Sequence, residues 1–151
     1  MINRSWAGLW IVLVAQTSAA QPELQISDAW VRALPPSQNN TAAYMTLFNA
    51  GIEPARVISV TSDLAGRVEI HRSQHVDGYM RMEQLDDLTV PAGARVLLEP
   101  GGTHLMLLDV ERMPAPGETV RICLTAQVMD EVCTDAPVRK GADVPNPHAH
   151  H

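Results

Sequence analysis

The chain has 151 residues, of which 46% are hydrophobic and 19% are charged, and its formal net charge is −6. That length and composition predict one globular domain with a single hydrophobic core and leave no room for a second domain. The acidic balance argues against the classes of protein that bind nucleic acid or anionic membrane surfaces.

The first 20 residues have the three parts of a secretory signal. Arg4 provides the positive charge, residues 7–14 are apolar, and residues 18–20 are the small Ser-Ala-Ala at which a signal peptidase cuts. The apolar stretch is shorter than the roughly 20 residues that a membrane-spanning helix needs. We therefore expect export, cleavage after Ala20, and no stable membrane insertion afterwards.

From residue 21 to residue 139, short runs of alternating apolar and polar residues are separated by turns rich in proline and glycine. The clearest turns lie at residues 35–36, 78, 91–93, 100–102 and 114–117. Strands at such intervals predict a single all-β domain, an antiparallel β-sandwich or barrel. Residues 140–151 are rich in Gly, Pro and Ala and too polar to pack, so we expect a flexible tail.

Four potential metal ligands lie within the strand-rich region: His71, Met82, His104 and Met106. Two imidazoles and two thioethers suit Cu(I), because polarizable sulfur favours a soft monovalent ion. Taken singly, each histidine could be a surface or hydrogen-bonded side chain, and each methionine could fill the core. The set as a whole favours copper handling.

Alternation along the predicted strands indicates where these side chains point. His71 lies on the strand face opposite Ile70, so it need not be a core residue. His104 and Met106 share one face, about 6.6 Å apart at ~3.3 Å per residue, and two side chains at that separation can close over one ion. Met82 follows a glycine turn, which allows its strand to return antiparallel to the strand of His71.

Two other side chains are candidate accessory ligands. Met80 shares a strand face with Met82, although such a neighbour more often serves packing. His75 lies four residues after His71, a spacing that forms a metal pair on a helix. The strand-and-loop pattern around it favours a surface histidine instead, with imidazole's general affinity for metals leaving accessory contact open.

Cys123 and Cys133 lie ten residues apart around a predicted turn. If they pair directly in a hairpin, the same register sets Arg121 beside Asp135, an opposite-charge pair that favours it. Because thiols of exported proteins are oxidised, we expect a cross-strand disulfide. Two alternatives stay open, free thiols that bind copper and a redox-active pair, but the spacing is not the Cys-x-x-Cys of thioredoxin-type proteins.

A cluster of histidines ends the sequence: His148, His150 and His151. Histidine-rich tracts bind metals, and flexible ones bind them loosely. We therefore consider a Cu(II) site in the tail. After Cys133 the next histidine is His148, which disfavours a blue-copper site, since such a site needs a cysteine close to its histidine and methionine ligands.

These features resemble a known family, the periplasmic copper chaperones called PCu(A)C. The resemblance covers nearly all of the chain after residue 20 and shows in Ala29-Trp30-Val31-Arg32 and in residues 43–47, 68–71 and 99–107. The family's ligand pattern of His, ten residues, Met, twenty-one residues, His, one residue, Met falls on this sequence without a gap. The resemblance implies a cupredoxin-like β-sandwich with the metal site near one end; the cysteine pair departs from the family pattern.

Together, the ligands and the resemblance predict a periplasmic protein that binds one Cu(I) and hands it to an acceptor. The resemblance implies that the acceptor is the copper-site subunit of cytochrome c oxidase during its assembly, or another copper assembly factor. We find no Ser/His/Asp arrangement, phosphate-binding loop or carboxylate pair of an enzyme, and we expect a monomer. The alternatives are a periplasmic copper buffer or resistance protein, and a copper redox protein that uses both Cu(I) and Cu(II).

Overall fold

The computed structural model describes residues 23–141, so the predicted signal segment and most of the predicted tail lie outside the described residues. This part of the chain consists of strands and turns, and none of it forms a helix long and apolar enough to cross a membrane. The strands are β1 Leu24–Arg32, β2 Thr41–Asn49, β3 Ala55–Ser62, β4 Ala65–Val76, β5 Tyr79–Leu85, β6 Leu88–Val90, β7 Arg95–Leu98, β8 Thr103–Val110, β9 Thr119–Ala126 and β10 Val132–Arg139.

The strands form one hydrogen-bonded path in the order β5-β4-β8-β2-β1-β10-β9-β3-β6. The first half of β2 pairs with β8 and its second half with β7. Buried side chains from both ends of this path belong to one cluster, so the path folds over and encloses a single core. This confirms the predicted all-β, cupredoxin-like fold.

One pairing differs from the predicted antiparallel arrangement. Strands β1 and β10 run parallel, with Val31 opposite Val138. Parallel neighbours need a long crossover connection, and here the connection is the rest of the domain. Alternation could not reveal this pair, because it shows which face a residue occupies but not which distant strand lies beside it.

The core consists of apolar side chains at alternate strand positions. Leu105 and Leu107 of β8 are fully buried, as are Ile122 and Leu124 of β9. Burying one such side chain stabilises the fold by roughly 1.5–3 kcal/mol. Strand β8 has hydrogen-bonded partners on both sides, β4 and β2, so it is fixed both by its core face and by its neighbours.

Strands β4 and β5 form a hairpin at the edge of the path. Its turn is Asp77-Gly78, with φ values of 53° and 82°. Two successive positive φ values are typical of a type I′ turn, whose twist matches that of the flanking strands. Residues 79–84 are all exposed, so both faces of β5 meet solvent and the edge strand stands clear of the core.

Strands β9 and β10 form a second hairpin, inside the path. Cys123 lies directly opposite Cys133 and Arg121 opposite Asp135, which is the predicted register. The two sulfur atoms are bonded at 2.06 Å, and Arg121 Nη1 lies 3.2 Å from Asp135 Oδ1. The disulfide thus crosslinks two neighbouring strands of the sandwich.

Candidate metal centre

Two histidines face each other across strands β4 and β8. The register places His71 directly opposite His104, and their ring centroids are 6.0 Å apart. Directly opposed residues of an antiparallel pair share a sheet face, so both imidazoles belong to one site. His104 is only 5% exposed, an unusual burial for a polar side chain, whereas the His71 side chain is 16% exposed.

Two methionines lie on the same sheet face. Met106 follows His104 by two residues, and its neighbour on β2 is the small Ala42. Met82 lies opposite Ser73, one alternate position beyond His71, and is 58% exposed. Together with His104, the two methionines line a pocket of about 440 Å³. The structure therefore brings three of the predicted ligands to one pocket, with His71 beside His104.

Each imidazole has one nitrogen held by a neighbour. His104 Nδ1 lies 3.0 Å from the carbonyl oxygen of Gly102 and donates to it, since a carbonyl can only accept. His71 Nε2 lies 2.8 Å from Glu69 Oε2 and donates to the carboxylate in the same way. In its neutral form each ring then has a lone pair on the other nitrogen, which is the usual arrangement of metal-binding histidines.

The second nitrogen of His71 shows how well the site fits a metal ion. His71 Nδ1 is buried and has no hydrogen-bond partner among residues 23–141. A buried nitrogen without a partner costs roughly 1–3 kcal/mol. A metal bound at this nitrogen would remove that cost, so the donor set and the orphaned atom both fit a soft cation.

Glu69 connects the site to a positive charge. Its Oε1 atom lies 3.0 Å from Arg67 Nε in an ion pair, while Oε2 accepts from His71. Arg67 therefore helps to orient the carboxylate that fixes the imidazole. Sequence reasoning gave Glu69 no role; its i, i+2 spacing from His71 on one strand was the available signal.

Two aromatic side chains, Tyr44 and Trp30, pack beside His104. The Tyr44 ring is 6.3 Å from the His104 ring, and Trp30 packs on Tyr44 at 4.5 Å between centroids. The Arg32 guanidinium lies 5.3 Å from the centre of the Tyr44 ring. Burial raises the pKa of the Tyr44 phenol above its ordinary value, and the charge of Arg32 acts in the opposite direction. The Tyr44 phenol therefore stays neutral. Sequence reasoning did not identify the contact between Tyr44 and His104.

The predicted accessory residues fall into two groups. His75 lies opposite Met80 in the β4–β5 hairpin, and its Nδ1 atom is 3.0 Å from Met80 Sδ. The sequence offered these two as separate candidates, and the structure places them in contact. The histidines of the tail, His148, His150 and His151, lie outside the described residues.

The cysteine pair offers no thiolate to a metal in this structure. Glu131 has an oxygen close to both sulfur atoms, with all three donor atoms within 4.8 Å of one another. The two sulfurs are nevertheless bonded to each other. Because a thiolate is the form of cysteine that binds metal, the bonded pair acts as a crosslink.

Residues 24–138 match the family described as "LpqE-like: Putative lipoprotein LpqE-like", and the chain belongs to that family. It is 31% identical over 112 residues to "Putative lipoprotein Lxx21020" of Leifsonia xyli subsp. xyli, covering 73% of this chain and 66% of that protein. It is 31% identical over 72 residues to "Uncharacterized protein RP573" of Rickettsia prowazekii, covering 47% and 40% of the two chains. The match thus spans about two thirds and two fifths of these curated relatives.

Solved structures of PCuAC domains share the fold. The copper-bound PCuAC domain from PmoF2 has 27% sequence identity and a TM-score of 0.66, covering 81% of this chain and 96% of that one. The solution structure of Cu(I)-DR1885 from Deinococcus radiodurans has 34% identity and a TM-score of 0.65, covering 82% and 83%. The apo PCuAC domain from PmoF1, at 23% identity and a TM-score of 0.65, supports the fold alone.

Proposed function

We propose that this protein is a periplasmic copper chaperone of the PCu(A)C type, which binds one Cu(I) through His71, Met82, His104 and Met106. The observation that carries the proposal is the opposed histidine pair, in which each ring has one anchored nitrogen and one lone pair. The similarity to a copper-bound PCuAC domain and to Cu(I)-DR1885 supports the choice of ion.

The ligand types suit a protein that must release its cargo. Neutral imidazoles and uncharged thioethers hold Cu(I) less firmly than thiolates would, because they leave the charge of the ion unbalanced. Met82 is the most exposed of the four ligands, whereas His104 is buried. An acceptor would therefore replace Met82 first and His104 last.

The proposed route begins with export. Residues 1–20 are removed as a signal, residues 21–139 form the copper-binding domain, and residues 140–151 are a tail whose histidines add a Cu(II) site. The names of the lipoprotein relatives support an exported protein. We place the monomeric chaperone in the periplasm, where it supplies the copper-site subunit of cytochrome c oxidase or another copper assembly factor.

The four-ligand site is tested by anaerobic Cu(I) titration of the mature protein against a competing chelator. The native chain should bind one Cu(I) tightly, and His104→Gln should weaken that binding by more than roughly 100-fold, because even outer-shell substitutions cost 10–100-fold. Met82→Leu and Met106→Leu should weaken it as well. Met45→Leu is the matched control, since Met45 is buried in the core and this swap conserves its volume.

The contrary result would be tight binding in all the ligand variants and its loss when the tail histidines are replaced by alanine, which would assign the copper to the tail. Delivery needs its own measurement, in which the Cu(I)-loaded protein is mixed with a copper-free oxidase copper domain. Transfer supports the chaperone; retention of the copper would favour a buffer.

A further inference from the structure

The tip of the β4–β5 hairpin carries a second pair of donors, outside the four-ligand set. His75 and Met80 are directly opposed, and His75 Nδ1 lies 3.0 Å from Met80 Sδ. Both side chains are exposed, Met80 by 57%. Met82 lies two residues from Met80 on the same strand face, about 6.6–6.8 Å along the strand.

We propose that His75 and Met80 form a second, weaker Cu(I) site, through which copper reaches or leaves the four-ligand site by way of Met82. This inference rests on the proposed function, because it takes Cu(I) as the ion and the four-ligand site as its destination. The tip pair holds the ion transiently, and Met82 is the donor that both sites can reach.

The geometry of the pair suits one soft ion. Donor atoms that share an ion through bonds of about 2.0–2.3 Å lie about 3–4 Å apart, and the observed separation is 3.0 Å. In the metal-free pair, His75 Nδ1 donates its hydrogen to the sulfur. On binding, the neutral ring moves that proton to Nε2, so Nδ1 gains its lone pair and no proton is released overall.

Exposure argues that the tip methionines do not serve packing. A methionine normally fills gaps in a core, but Met80 and Met82 are both more than half exposed, and Tyr79 beside them is 76% exposed. Their strand is also the edge of the path, which a partner protein can approach directly. Two exposed thioethers beside an imidazole are therefore better explained as donors for a soft metal ion.

Exposure differs sharply between the two histidines and the two β5 methionines, which are 58% (Met82) and 57% (Met80) exposed. His104 is buried and His71 is largely buried. An ion that moves from the histidines to these methionines passes from a site shielded from solvent to one that a partner can touch. Two or three donors on the surface hold the Cu(I) ion less firmly than four donors at a pocket. The affinity of the partner for Cu(I) therefore determines whether copper is loaded or removed.

The test uses the full mature chain with methionine methyl groups labelled with ¹³C, titrated anaerobically with Cu(I) and followed by NMR. The first equivalent should shift the methyl signals of Met82 and Met106. A second equivalent should shift that of Met80. In the double variant His75→Gln with Met80→Leu, the first equivalent should bind as before, the second should bind at least about tenfold more weakly, and loading from a Cu(I)–chelator complex should slow.

Glu83→Gln is the matched control, because Glu83 is exposed on the opposite face of the same hairpin, where it accepts from Gln74. Glu83→Gln should leave the affinity for both Cu(I) equivalents and the loading rate unchanged. A Met80 methyl signal that does not move in the native chain overturns the inference, as does a double variant that retains the second equivalent or loads at the native rate.

Failure of the proposed function gives a different result. In that case the first equivalent would leave the methyl signals of Met82 and Met106 unmoved. If Met80 then responded alone, the tip would be a copper site but its role in loading the four-ligand site would be wrong.

Discussion

The two halves of the proposed copper site stand on very different parts of the fold. His104 and Met106 belong to β8, which has partners on both sides and which buries Leu105 and Leu107 completely on its other face. Met82 belongs to β5, an edge strand exposed on both faces from residue 79 to residue 84. The comparison teaches that one half of the site is fixed by packing on the core, while the other half lies on an exposed strand held through its pairing with β4.

The largest expected effect is on folding stability, which should respond strongly to a substitution on β8 and weakly to one on β5. Leu105→Ala should lower the free energy of unfolding by about 2–5 kcal/mol, because it opens a cavity beneath the site. Met80→Leu on the exposed hairpin should change it by less than about 0.5 kcal/mol. Urea unfolding followed by circular dichroism measures both. Similar values for the two variants would contradict the division into a core-packed and an exposed half.

Removal of the disulfide should affect stability but not copper. Cys123→Ser with Cys133→Ser should lower the free energy of unfolding by about 2–3 kcal/mol, because the crosslink closes a short loop in the unfolded chain. Cu(I) affinity should stay at the native value, since the proposed ligands lie on β4, β5 and β8 and the cysteines on β9 and β10. A weakened Cu(I) affinity in the folded double variant would show that the two regions are coupled.

A substitution on β4 tests how Glu69 orients the His71 ring. Glu69→Gln should weaken Cu(I) binding by about 10–100-fold, because the carboxylate fixes the His71 ring and raises the basicity of its other nitrogen. The measurement is the same chelator competition, with Glu83→Gln as the exposed control. If both variants bind Cu(I) equally well, the contact between Glu69 and His71 has no part in metal binding.

The smallest expected effect concerns the base of the hairpin. Arg56 Nη2 donates to Asp87 Oδ2 at 2.5 Å, and this hydrogen bond holds the pKa of Asp87 below its ordinary value. A lowered pKa in the folded state contributes stability above the unfolded pKa of about 3.9, and the contribution is lost as the pH falls through the folded value. Asp87→Asn should therefore lower the melting temperature slightly at pH 7, and the difference should disappear below both pKa values. The effect is small because the ion pair is exposed. A difference in melting temperature that grows as the pH falls would contradict the lowered pKa of Asp87.

Local alternation predicted much of this structure. It placed His104 and Met106 on one face of a strand. The opposite charges of Arg121 and Asp135 favoured the observed register of Cys123 with Cys133. Alternation also allowed the return of Met82 beside the strand of His71. These features depend on residues close in sequence, whose side chains alternate with a period of two in any strand.

Contacts between distant segments could not be predicted in this way. The burial of His104 depends on Tyr44, which lies 60 positions earlier and reaches it through the pairing of β2 with β8. The contact between His75 and Met80 depends on a two-residue turn that fixes the hairpin register. The family resemblance supplied the proposed ligand set, but the hydrogen bonds that orient His71 and His104 could be seen only in the structure.

Because the β4–β5 hairpin closes through the two-residue Asp77-Gly78 turn, its length can change without changing the strand pairing of the proposed copper ligands. Adding one residue to each strand beside the turn would leave Met82 opposite Ser73, although the interval between His71 and Met82 would grow by two residues. A single extra residue in one strand would instead turn its side chains to the other face. The ten-residue interval between His71 and Met82 is therefore a measure of how far the hairpin projects. Insertions in pairs would change that projection without changing the positions of the proposed metal ligands.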